Sequence, residues 1–102
     1  MRIVEQKDFK DEIASGVTFV DFFATWCGPC KMLSPVLEQV EADNPGIKFI
    51  KVDTDEAMET AQEYGIMSIP SMFIFIDGQV VAQTGGYQPK GQLQNFIDNA
   101  LK

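Results

Sequence analysis

Apolar positions along the chain follow two rhythms, one nearly continuous and one recurring every three or four residues. Val17-Thr18-Phe19-Val20-Asp21-Phe22-Phe23 is the densest continuous run. It is rich in β-formers and apolar on both faces, the pattern of a central strand covered on both sides. Ile47 to Val52 repeats it, interrupted by Lys48 and Lys51. Ser71 to Ile76 and Gln79 to Gln83 are strands joined by Asp77-Gly78, a strong tight-hairpin signal. Ile3-Val4 is a further short strand.

The other rhythm marks helices. From Cys30 onward, Met32, Leu33, Val36, Leu37 and Val40 share one helical face, which ends near Asn44-Pro45-Gly46. Pro35 lies inside it, lacks an N–H and is expected to kink the helix. Phe9 and Ile13 mark a short helix over Asp8 to Ala14, ended by Ser15-Gly16. Ala57, Met58, Ala61 and Tyr64 mark another, with N-caps offered by Asp53-Thr54-Asp55 and a stop at Gly65. Leu93, Phe96, Ile97, Ala100 and Leu101 mark the last, with Pro89 placed in its first turn. The order βαβαβαββα predicts an α/β fold. Its βαβ units pair strands in parallel and its final hairpin pairs them antiparallel. The expectation is a mixed central sheet of about five strands flanked on both faces by about four helices.

With 102 residues, of which 45% are apolar, residues 1–102 read as one domain with a normal core. Eight basic against 15 acidic residues give a net charge of −7, which argues against a phosphate-tracking surface, so no nucleic-acid partner is expected. No stretch approaches the roughly 20 apolar residues of a membrane span. The N-terminus turns polar after Ile3-Val4, without the apolar core of a secretory signal. A cytoplasmic protein is therefore expected.

The chemistry is concentrated in Trp26-Cys27-Gly28-Pro29-Cys30, which holds the only two cysteines. Two intervening residues let the sulfurs meet across one turn, and the segment sits at a strand-to-helix junction, the signal of a thiol–disulfide exchange site. A helix N-terminus favours a thiolate, so Cys27 is read as the nucleophile, with the more exposed sulfur. Cys30, one turn further on, is read as the more buried resolving thiol. A zinc site of the usual kind needs two further Cys or His ligands that the chain lacks, which leaves only one shared between subunits. A structural disulfide closing so short a loop would remove little chain entropy. The absence of His, and Gly28-Pro29 stiffening the turn, lean towards a reductant rather than an oxidase or isomerase. With no nucleotide-binding glycine motif, electrons must come from a partner protein. A scaffold that needs the fold but not the thiols is the reading from another class.

Three residues carry two readings each. Asp21 is either a buried carboxylic acid of raised pKa, placed to take the Cys30 proton, or a solubilising residue on an exposed strand face. Lys51 is either its charge partner or a snorkelling surface lysine. Pro70 opens a strand, where proline is ordinary, and a cis bond there does not follow from the residues alone.

Together these features resemble the thioredoxin family over essentially the whole chain. The resemblance is carried by Trp26-Cys27-Gly28-Pro29-Cys30-Lys31, Val20-Asp21-Phe22, Pro35, Val52-Asp53, Ile69-Pro70, Asp77-Gly78 and Gly86. It implies a thioredoxin fold and a protein-disulfide reductase that needs no cofactor, acts as a monomer and keeps cytoplasmic thiols in redox balance. It implies Cys27 and Cys30 as a redox-active disulfide, Asp21 as proton acceptor with Lys51 beside it, Gly28 and Pro29 tuning the potential, and a cis Pro70. It further implies a shallow apolar groove of Trp26, Gly28, Pro29, Ile69, Pro70, Gly85 and Gly86, disulfide-containing protein substrates, and a thioredoxin reductase as electron donor. Phe23, Ser71 and Gly85 depart from residues frequent in the family (Trp, Thr and a larger apolar residue), and none touches the chemistry.

Overall fold

The central apolar run forms strand β2, Val17–Phe23, in a computed structural model that describes residues 1–102. The other strands are β1 (Arg2–Ile3), β3 (Lys48–Asp53), β4 (Ser71–Ile76) and β5 (Gln79–Gly85). The α-helices are α1 (Phe9–Ile13, entered through a 3₁₀ turn at Gln6–Asp8), α2 (Gly28–Asp43), α3 (Met58–Glu63) and α4 (Lys90–Ala100). The sheet order is β1-β3-β2-β4-β5, parallel across β1, β3 and β2 and antiparallel across β2, β4 and β5. This is the mixed sheet that the element order predicts.

Alternation along each strand divides the core. Val20, Phe22, Ile50, Val52, Phe73 and Phe75 pack with Phe9, Ile13 and Ala57 beneath α1 and α3. Phe19, Phe49, Met72 and Ile74 pack with Leu33, Leu37, Val40, Leu93 and Ile97 beneath α2 and α4. Asp21 and Lys51 are register partners on β2 and β3. By the same alternation they belong to the α2 face, which sets the geometry of the site. The β4–β5 turn has positive φ at Asp77 (49°) and Gly78 (85°), as a tight hairpin requires.

Several sequence expectations need correction. β1 is Arg2–Ile3 rather than Ile3-Val4, although the Val4 N–H still donates to the Lys51 carbonyl at 2.8 Å. Met32 and Met58, assigned to apolar helix faces, are exposed, and so is Leu101. Pro89 is the N-cap of α4 rather than part of its first turn. Helix α2 does start directly after Cys27, as expected, with Gly28 and Pro29 in its first two positions, and it runs unbroken past Pro35. Asp53, Thr54 and Asp55 do not cap α3, which starts after Ala57 without a local side-chain cap. The cap comes from a distant residue: Gln6 Oε1 accepts from the N–H groups of Glu59 and Thr60 at 2.8 and 3.1 Å. Those are two of the orphan donors that a helix start leaves. Gly65 does end α3, with φ +65° and the Ile66 N–H closing onto the Ala61 carbonyl at 2.9 Å.

Candidate active site

The two cysteines lie where β2 hands over to α2. Cys27 has extended backbone, φ −87° and ψ 112°, and caps the helix: its Sγ accepts from the Cys30 N–H at 3.2 Å. An acceptor at this position satisfies one orphan N–H and lies at the positive end of the helix dipole. The same placement favours a thiolate on Cys27 once the pair is reduced. Cys27 and Cys30 are joined as a disulfide, with Cα atoms 5.3 Å apart.

Both cysteines are buried, 4% and 3% exposed, so neither stands open at the surface. The cause is the packing around them. Phe23 and Ala24 form one small cluster with both cysteines, and Ile69 closes over it. The Ile69 carbonyl oxygen lies 3.9 Å from Cys27 Sγ. The Ile69–Pro70 peptide is cis and Pro70 is buried. The Gly86 N–H donates to the Pro70 carbonyl at 2.9 Å. A Cβ on Gly85 would come 3.4 Å from that same oxygen, an ordinary van der Waals contact.

Trp26 stands out from the surface, 69% exposed, with its indole N–H donating to Asp55 Oδ2 at 2.8 Å. One recess of about 170 Å³ lies between Trp26, Ile66, Met67 and Ile69. A second of about 370 Å³ runs from Met67 and Ser68 to Ser71, Thr84 and Gly85. Met67, 97% exposed, is the ridge they share, and sequence reasoning missed it. The available signal was an apolar residue left between the helix stop at Gly65 and Ile69-Pro70. Gly28 and Pro29 are exposed beside the disulfide. A larger recess of about 550 Å³, lined by Ile3 to Lys7, Asp53, Glu56 and Ala57, includes neither cysteine. The surface around Trp26 and Ile69, beside the disulfide, thus carries shallow open recesses rather than an enclosed small-molecule pocket.

Asp21 is fully buried, and neither carboxylate oxygen has a hydrogen-bond partner. Burial pushes its pKa up to about 7, against a smaller lowering by the Lys51 charge. Of the two readings of Asp21, the buried acid is the one realised. Lys51 forms no ion pair with it. The Lys51 ammonium instead donates to Ser34 Oγ at 3.3 Å and sits 4.4 Å from the Phe23 ring centroid. Cys30, Ser34 and Lys51 line one recess of about 220 Å³ with Thr25 and Lys31, and Asp21 lies outside its lining.

The thioredoxin family model matches residues 1–99. The chain belongs to the thioredoxin family. The thioredoxins of Staphylococcus aureus strains MW2 and N315 are each 48% identical to it over 99 residues, covering 96% of this chain and 95% of theirs. Among solved structures, mitochondrial thioredoxin 3 from Saccharomyces cerevisiae in its oxidised form superposes with a TM-score of 0.86. That structure is 30% identical and the match covers 96% of this chain and 94% of that one. The fold is the thioredoxin fold. Membership of this family and the Cys27–Cys30 pair make the protein a thiol–disulfide oxidoreductase that reduces protein disulfides. No helix is long and apolar enough to cross a membrane.

Proposed function

We propose that residues 1–102 act as one monomeric, cytoplasmic thioredoxin domain in which Cys27 is the attacking thiolate, Cys30 the resolving thiol and Asp21 the proton acceptor. The observation that carries the assignment is the sulfur of Cys27 at the N-cap of α2, receiving the Cys30 N–H. In the reduced protein the Cys27 thiolate attacks one sulfur of a substrate disulfide, forms a mixed disulfide and releases one substrate thiolate. The Cys30 thiol passes its proton to the Asp21 carboxylate, directly or through water, and attacks Cys27 Sγ. The intramolecular disulfide forms and the second substrate thiolate leaves and is protonated. Two electrons have then passed from the protein to the substrate. A separate thioredoxin reductase restores the dithiol, because the chain has no nucleotide-binding motif of its own.

Trp26, Met67, Ile69, Pro70 and the Gly85-Gly86 segment dock extended substrate, while Gly28 and Pro29 tune the potential of the pair. Exposed apolar surface beside a reactive sulfur supports this role. The test uses a disulfide-bonded protein substrate with the Cys30→Ser variant. A mixed disulfide accumulates at Cys27 if the roles are as assigned. Trapping only in Cys27→Ser, through Cys30, reverses them.

A further inference from the structure

Lys51 faces Asp21 in register yet gives its ammonium to another group, and that choice calls for a cause. Two recesses meet along the Ser34–Lys51 pair. One holds Cys30, Thr25 and Lys31; the other, of about 50 Å³, holds Met1, Leu37 and Glu38. Ser34 lies one turn after Cys30 on α2 and is half-buried. Its hydroxyl donates to the Cys30 carbonyl at 3.2 Å, so its lone pairs are left for the Lys51 ammonium at 3.3 Å. The Phe23 ring supports the ammonium from a third side. Both Asp21 oxygens remain without a partner, though the ammonium has protons to spare.

We propose that Ser34 is a positioning residue that moors the Lys51 ammonium on the Cys30 side of the site, away from Asp21. The mooring does two things. It keeps the carboxyl from being neutralised by a close cation, so that Asp21 retains affinity for the Cys30 proton. It also sets a positive charge on the wall of the recess where the Cys30 thiolate appears. The first effect rests on the reading of Asp21 as proton acceptor; the mooring itself does not.

The charged groups around this region are few. Lys51 comes from β3, Lys31 and Glu38 from α2, and the Met1 amino group from the chain start, while β4 presents Met72 opposite Asp21. Glu38 is the one carboxylate on the walls of either recess, and it makes no ion pair with Lys51.

The experiment follows the Asp21 carboxyl carbon by NMR against pH in the oxidised full chain, for the native protein, Ser34→Ala, Ser34→Thr and Ser34→Ala/Glu38→Gln. Alanine is a good helix former, and far-UV circular dichroism checks that the fold is kept. Released from Ser34, the ammonium relaxes towards the carboxylate. Its midpoint then falls by about half a pH unit or more, the effect of moving a unit charge roughly 1 Å closer at an effective dielectric near 20. Ser34→Thr restores the native midpoint, and the double variant falls as the single one does. A midpoint that stays or rises in both alanine variants overturns the mooring. Stopped-flow measurement of the resolving step in the same variants separates the two claims. If the NMR midpoint falls while the pH profile of the resolving step stays, Ser34 holds Lys51 as stated and Asp21 is not the acceptor.

Discussion

Replacing Asp21 with asparagine should stabilise the oxidised protein at neutral and alkaline pH, by an amount that grows with pH. Folding removes this carboxyl from water without giving it a partner, so ionisation is resisted in the folded state. Its pKa rises from 3.8 to about 7. A folded-state pKa above the unfolded one means that the native chain binds more protons between those values. Stability therefore falls as pH rises from about 4 to about 7, and the loss is complete above that window. At about 1.36 kcal/mol per pH unit the full effect is about 4 kcal/mol, of which about 2–3 kcal/mol falls between about pH 5 and pH 8. Asparagine has nearly the same shape and cannot ionise, so this dependence disappears. The assay is urea unfolding of both proteins at several pH values. With a slope of about 1–2 kcal/mol/M, the gap between the two midpoints should widen by about 1–3 M from pH 5 to pH 8. A gap that does not change with pH would refute the claim that Asp21 is buried without a partner.

Other consequences concern the fold and the docking surface. Gln6→Ala removes the acceptor of two α3 N–H groups and should cost about 1 kcal/mol in urea unfolding, with faster amide exchange at Glu59 and Thr60. Phe9→Ala empties the centre of a cluster with Phe22, Tyr64 and Phe75, and should cost about 3–5 kcal/mol in the same assay. Met67→Glu puts a charge on the ridge between the two shallow recesses; KM for a protein disulfide should rise about fivefold, the equivalent of about 1 kcal/mol, with kcat unchanged.

What the sequence disclosed follows the range of the interactions involved. Strand β2 was legible to the residue because an unbroken apolar run has few other solutions, and Asp77-Gly78 announced its hairpin by local backbone chemistry alone. The cysteine pair was legible because its chemistry is contained in five residues. Contacts that span the chain were not. The cap on α3 comes from Gln6, more than fifty residues away, while the nearer Asp53 and Asp55 accept from the Asp55 N–H and the Trp26 indole instead. Asp21 had two readings until the register placed it under α2. Lys51 was assigned to Asp21 on charge, but Ser34 and Phe23 hold its ammonium. The burial of Cys27 depends on Ile69, brought over it by a distant loop.

The central claim is that the Cys27–Cys30 pair works as a reductant. Its equilibrium potential, titrated against dithiol/disulfide buffers and read through Trp26 fluorescence, tests that most directly. A reductant shows a two-electron transition at or below the cytosolic glutathione poise, about −220 to −260 mV. A midpoint near −180 mV or higher, at about the level of a disulfide isomerase, would contradict it.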